Sequence, residues 1–232
     1  MIKRMSVLVL MVLLALVFFP LISGMQDRAE IGKLATAYLE QGVEDLNAAN
    51  LVTSVIVSYR GLDTLGEVTV LFAAAAGIAL VFSRKNERRE KNHDERREPS
   101  ELIKTGAGFL LPPIFIFGIY IFLHGHLTPG GGFQGGVIIA SGVFYALVAG
   151  LREELSHGLL SALEMISGAG YVAMGLLGLW LAAGFLDPRF LPAGEFGSLF
   201  SAGAIPVIYT LIGVKVGAEL SGVIDTMKRS RP

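Results

Sequence analysis

The stretch TGAGFLLPPIFIFGIYIFLHGHLTPGGGFQGGVIIASGVFYALVAGL, Thr105 to Leu151, carries no Asp, Glu, Lys or Arg over 47 residues. A transmembrane helix needs about 20 mostly apolar residues, so this run is too long for one span and right for two joined by a turn. The turn is written in Pro129, Gly130, Gly131, Gly132, Gly135 and Gly136. Outward from it, Met5–Gln26, Met165–Leu186 and Phe196–Val214 are further uncharged stretches of span length, the last two separated by Asp187, Pro188 and Arg189. The basic start of the first resembles a signal peptide, but a small-residue cleavage site is weak and the segment reads as a retained helix. Val68–Ser83 reaches span length once Glu67 is admitted to its helix. The expected fold is all-α: a polytopic membrane protein with about six transmembrane helices.

Composition agrees with this reading. Of 232 residues, 53% are hydrophobic and 29 are glycine, with mean hydropathy +0.61, which excludes a single soluble core. The 19 Lys and Arg nearly cancel the 20 Asp and Glu, so no global charge draws the chain to nucleic acid. The absence of cysteine excludes disulfides, thiolate zinc sites, iron–sulfur ligation and cysteine nucleophiles in this chain. Any electrons that move nearby are carried by another subunit.

Basic residues set the expected orientation. Lys3 and Arg4, the cluster from Arg84 to Lys104, Arg152, and Lys228, Arg229 and Arg231 all belong inside, which leaves Arg28, Lys33, Arg60 and Arg189 outside. The chain is therefore expected in the cell membrane as a multi-pass protein with both termini cytoplasmic. Residues 47–59 are too short to add a pair of crossings and are laid along the outer interface. The run SRKNERREKNHDERREPSE alternates sign without apolar periodicity, as a solvated linker or short charged helix does, and divides the chain in two. The halves show no internal repeat, which argues against an inverted-repeat transporter complete in one chain.

Several residues carry possible chemistry. Gly130–Gly135 formally contains GxGxxG, but membrane helices flank it where a dinucleotide site needs a strand and a solvent-facing helix start. The glycines read as a tight turn, a subunit contact or a vestibule. His124 and His126 lack the third and fourth ligands of a metal site; a hydrogen-bonded pair or a proton-handling role remains open. Among charges at or within the spans, Glu164 lies near a cytoplasmic helix end and reads as structural, whereas Lys215 and Glu219, four apart, can neutralise one another. Asp63 and Glu67 are also four apart but both acidic; they require a cation, a proton or a basic partner, and Arg60 is within reach of Asp63. Neither a nucleophile arrangement nor a three-ligand metal set is present, so a non-catalytic subunit is expected.

The segment HGHLTPGGGFQGGVIIASGVFYALVAG, His124 to Gly150, strongly resembles the signature of the B subunit (MrpB, also called MnhB) of multisubunit Na+/H+ antiporters, and the resemblance extends over about Lys104 to Asp225. NLVTSVIVSYRGLDTLGEVTVLFAAAAGIALVF, Asn50 to Phe82, is similar to the C-terminal tail of the antiporter A subunit and to the small E subunit of archaeal membrane-bound hydrogenases. The resemblance divides the chain into an A-tail-like segment (1–83), a charged linker (84–104) and a four-helix MrpB-like domain (105–232). It implies a membrane subunit of an antiporter-like module within a redox-driven complex of the hydrogenase or sulfane-reductase type. Other Mrp-type membrane subunits and the subunits of such a complex are the implied partners, in the lipid bilayer and without nucleic acid. No cofactor is implied in the chain itself; Na+ or H+ is the transported ion. Glu67 falls where the A-subunit tail presents an acid implicated in cation movement, while Lys215 and Glu219 match no motif and stand on physical grounds. A passive assembly role is the alternative, with Gly168, Gly170, Gly175 and Gly178 gluing other subunits together.

The orientation is directly testable in a chain free of cysteine. A single Asn92→Cys substitution is expected to be labelled by an impermeant thiol reagent in inverted vesicles and not in sealed cells.

Overall fold

The computed structural model describes residues 2–24, 32–86 and 99–229. The heart of the charged linker (87–98) and residues 25–31, from the segment expected outside, lie beyond these. Among the described residues every regular element is helical. By contacts the chain forms two units, 1–37 and 38–232. The first holds α1 (Ile2–Ser23), whose apolar side chains from Met5 to Phe19 are exposed, as suits a helix that meets lipid. A second helix, α2 (Lys33–Leu46), begins in the first unit and ends in the second.

The second unit continues with α3 (Leu51–Thr53), which passes into a π-helical turn over Ser54–Tyr59, then α4 (Gly61–Asn86), α5 (Glu101–Leu123), α6 (Gly132–Val148), α7 (His157–Leu181) and α8 (Ile205–Arg229). Among the described residues four helices are long and apolar enough to span a membrane, in α4, α5, α7 and α8; Met5–Pro20 and Gly132–Val148 are shorter apolar helices, in line with the six expected. The helix starts follow local chemistry. Ser100 caps α5 by accepting from the Ile103 N–H, and Ser156 caps α7 by accepting from the Leu159 N–H.

Two expected boundaries are corrected. Helix α7 starts at His157, not Met165, because the Ser156 cap starts it ahead of the uncharged run and takes Glu164 into its second turn. More consequentially, the last span is Ile205–Arg229 and not Phe196–Val214. Residues 194, 197, 202 and 203 have φ of 67°, 81°, 65° and 59°, a left-handed backbone that no α-helix can continue through. At Gly203 any Cβ would strike the Pro188 carbonyl, so the bend is built around a missing side chain. Beyond Val214 the helix runs on through Lys215 and Glu219, since two opposite charges one turn apart satisfy each other. Within the expected interfacial segment 47–59, residues 51–59 are helical, with Thr53, Ser54 and Val57 fully buried against protein.

Helix α8 is the hub. Over their most apolar windows 56% of its residues are buried, against 6% for α4. Apolar burial alone gains little where the surroundings are lipid, so close approach and packing must hold the bundle together. The glycine-rich stretch supplies that approach. Only Pro129 to Gly131 precede the helix; Gly132, Gly135 and Gly136 belong to α6 itself, a third departure from expectation. A Cβ at Gly132 would lie 2.6 Å from Ile212, one at Gly135 2.6 Å from the Gly118 carbonyl oxygen, and one at Gly136 2.8 Å from the Gly213 carbonyl oxygen. The start of α6 is thus wedged between α5 and α8 within one chain. Overpacking of such a contact costs about 1–3 kcal/mol or more. Gly136→Leu is therefore expected to lower the thermal midpoint of the detergent-solubilised chain by several degrees, whereas Gly77→Leu, where a Cβ meets nothing within 4 Å, is expected to leave it unchanged.

Candidate functional site

At one end of the bundle the segment before α4 grips the loops that follow α5 and α7. Asn50 caps α3 by accepting from the Val52 N–H at 3.1 Å, and its Nδ2 donates to the carbonyls of Gly125 at 2.9 Å and Thr128 at 3.0 Å. The Asn50 N–H donates to the His126 carbonyl at 3.0 Å, and Thr53 Oγ1 donates to Gly125 at 2.6 Å. Tyr209 of α8 completes the clamp by donating to Thr53 Oγ1 at 3.0 Å. Further out, Asn47 Nδ2 donates to Ala193 and Gly194 at 3.0 and 2.9 Å, and Tyr59 donates to Asp45 at 2.8 Å. Burial and the Asp45 carboxylate push the Tyr59 phenol up to about 12. Asp187 binds the Arg189 side chain, with Nη2 at 2.6 Å, and this partner holds its carboxyl below the usual range against the opposing effect of burial.

The two histidines take unlike places. His124 stacks on Tyr120 with ring centroids 4.1 Å apart and faces the Tyr120 carbonyl at 3.1 Å through Nδ1. His126 is fully buried; Nε2 faces the Ser198 carbonyl at 3.3 Å, while Nδ1 has no hydrogen-bond partner. The structure does not bring the two rings onto a common ligand. Burial lowers the His126 proton affinity below its ordinary value, assisted by His124 and opposed by the Ser198 and Leu199 carbonyls.

Deeper in the bundle, α8 carries Lys215, 9% exposed, and Glu219, 1% exposed, as a directly bonded ion pair. The i, i+4 spacing puts both on one helix face. Lys215 Nζ lies 5.2 Å from the centre of the Phe72 ring on α4, a cation–π contact. Glu219 Oε2 is buried without a hydrogen-bond partner. Beside the pair opens a cavity of about 430 Å³ between α4, α7 and α8, with Thr69, Phe72, Ser161, Glu164, Tyr171 and Lys215 in its wall. Glu164, read from sequence as a structural acid at a helix end, therefore shares a cavity with Lys215, and its carboxyl lies within electrostatic reach of both Lys215 and Glu219.

Asp63 and Glu67 stand apart from this site, on the exposed side of α4. Asp63 pairs with Arg60, whose Nε donates to it at 2.7 Å. The charge of Glu67 reaches the Tyr171 hydroxyl, which donates to the Gly61 carbonyl at 3.3 Å behind the cavity wall. The glycines considered for gluing partners are used within the chain: Gly170 faces Leu211, Gly175 faces Phe185, Gly178 faces the Asp187 backbone, and Gly168 lies beside the Lys215 stem.

Two families match this arrangement half by half. The family described as "Domain related to MnhB subunit of Na+/H+ antiporter" matches residues 102–222. The chain belongs to the MnhB-related family. The MbhE family, described as the E subunit of MBH, matches residues 2–96, so the cavity lies where the two matched segments meet, with α4 from one and α7 and α8 from the other. An uncharacterized protein of Methanocaldococcus jannaschii is 31% identical to this MnhB-related chain over 74% of each. In the structure of the membrane-bound sulfane sulfur reductase, an archaeal respiratory membrane complex, one chain matches with TM-score 0.82 and 39% identity, over 98% of both. A chain of the Mrp complex from Dietzia sp. matches with TM-score 0.80 and 22% identity, a likeness of fold, over 97% of this chain and 26% of that one.

The His126 environment sets a pH dependence in this MnhB-related chain. Its folded-state value lies below the ordinary 6.5, so the unfolded chain takes up the proton first as pH falls. The stability that neutral His126 contributes is complete above pH 6.5 and is lost progressively below it. Thermal unfolding in detergent is expected to fall between mildly alkaline and mildly acidic buffer, and His126→Gln is expected to flatten that dependence.

Proposed function

We propose that the chain is an ion-path subunit of a multisubunit antiporter-like membrane module of the sulfane-reductase type, and that it performs no catalysis itself. Its partners are the other Mrp-type membrane subunits and the redox subunits of the complex, and Na+ or H+ is the transported ion. The end that carries Arg152, Lys228 and Arg229 faces the cytoplasm, by the positive-inside rule. The observation that carries the reading is the Lys215–Glu219 pair, held in the middle of the most buried helix with Lys215 in the wall of a cavity. A charge at such depth costs about 2.5–3.5 kcal/mol on insertion scales, and a purely architectural helix has no need of two.

The rest of the site supports the same reading. Phe72 covers the lysine from the other matched segment, so the joint between segments is completed at the charged pair. Glu67 stands on the exposed face of α4, within electrostatic reach of the Tyr171 hydroxyl in the cavity wall, where a neighbouring subunit would meet it. The scaffold reading loses part of its main feature, because Gly175 and Gly178 are buried within the chain and Gly170 packs against Leu211.

Paired substitution separates the two readings. Lys215→Met alone leaves Glu219 buried and unpaired, a loss of about 3–5 kcal/mol, and is expected to reduce the amount of assembled complex. Lys215→Met with Glu219→Leu leaves no buried charge and is expected to assemble normally. Coupled ion transport by that double variant, measured as pH and sodium change in inverted vesicles, is expected to fall to background. Wild-type transport would establish the scaffold reading instead.

A further inference from the structure

Helix α8 holds a third buried charged side chain, an acid near its cytoplasmic end. Asp225 is fully buried and its Oδ1 has no hydrogen-bond partner, while Oδ2 accepts from Arg229 Nε at 2.9 Å and lies 3.5 Å from Nε2 of His157, the first residue of α7. The His157 side chain is the solvent-facing member, 61% exposed. Arg229 also reaches Glu154 at 3.4 Å, and Lys228 Nζ donates to the Glu153 carbonyl at 3.0 Å, so the mouth is framed by fixed positive groups.

Helical spacing continues this mouth inward. His157, Ser161 and Glu164 follow at i, i+4 and i+7 on one face of α7, and Glu219, Gly222 and Asp225 follow at steps of three on α8. Gly222 leaves room for Glu164: a Cβ built there would lie 3.7 Å from Glu164 Oε1. The Glu164 carboxyl thus lies beside Gly222, three residues along α8 from both Asp225 and Glu219, and those two acids each present a buried oxygen without a partner. A buried carboxylate with an unfilled acceptor is costly unless a proton or water completes it.

We propose that His157, Asp225 and Glu164 form a proton file from the cytoplasmic solution to the Lys215–Glu219 pair. The file rests on the reading of that pair as the ion site. Hydronium protonates the His157 ring and leaves water, Nε2 passes a proton to Asp225 Oδ2, the neutral Asp225 passes one to Glu164, and Glu164 passes one to Glu219. Each donor returns to its former state as the next group gains the proton, so one charge advances and no redox partner is needed. Ser161, Glu164 and Lys215 share the wall of one cavity, and water admitted there would bridge the interval from Glu164 to the pair. The guanidinium of Arg229 at the mouth repels a sodium ion and leaves hydrogen-bond relay intact, so the file carries protons. Groups that face Asp225 and set its charge are His157 from α7 and Arg229 from its own helix, with Glu154 acting on Arg229.

The test uses the assembled complex in inverted vesicles, with proton and sodium movement read separately. His157→Ala, at an exposed position, is expected to leave assembly unchanged, slow proton movement by roughly tenfold, and recover when imidazole is added to the buffer. Glu164→Gln is expected to slow proton movement without rescue by imidazole. Wild-type proton movement in both variants, or a loss in His157→Ala that imidazole does not restore, would overturn the file. If the double Lys215 and Glu219 variant is inactive in that same case, the ion site stands and only the file falls.

Discussion

Lys215 and Glu219 can lie in the middle of the most enclosed helix only because each removes the other's cost. Either charge alone would call for water or a partner at that depth, and the alternative of letting α8 end at Val214 would undo the bundle. With the pair formed, α8 runs on for the full length of Ile205–Arg229 and becomes the surface on which α4, α6 and α7 pack. The glycines at 132 and 136 fit α6 against this helix, and Phe72 of α4 closes over the lysine. The same pair therefore underlies both the architecture and the proposed transport.

A second constraint acts at the end of the bundle that carries the loops after α5 and α7. Asn47, Asn50 and Thr53 are short polar side chains that satisfy loop carbonyls otherwise left unpaired in a segment dense with glycine and proline. Six of the donated bonds run from 47–53 to residues 125–128 and 193–194, which ties the MbhE-like segment to the MnhB-related one at a point far from the linker that joins them. The π-helical turn that follows widens the backbone so that Arg60 bonds back to Val55, and Thr64 fills the Ile56 carbonyl from α4. Such turns recur where a helix must redirect a functional element, and here the element redirected is the one that carries Asp63, Glu67 and Phe72.

Much of the fold is legible in the sequence because apolar length has a physical meaning in a bilayer. The run Thr105 to Leu151 becomes α5 and α6 as expected, and the match of its signature to the MnhB-related family follows from the same residues. The last span departs from expectation because absence of charge is a poor guide where Gly203 needs a left-handed backbone and where a charged pair neutralises itself. The clamp of Asn50 and Thr53 is invisible in sequence, since its partners are backbone carbonyls more than seventy residues away. Asp225 and His157 escape a sequence reading as well. Their signal is present in the spacing of His157, Ser161 and Glu164 along α7, but its meaning depends on the stripe of α8 that faces it.

If the buried pair is the ion site, Glu219 exchanges a proton during turnover. Infrared difference spectroscopy of the assembled complex, recorded as it is energised, reads this directly in the carboxyl stretching region. A carboxyl band that appears in the native complex and is missing from an assembled Glu219→Gln complex is the predicted result; identical difference spectra for the two would contradict it.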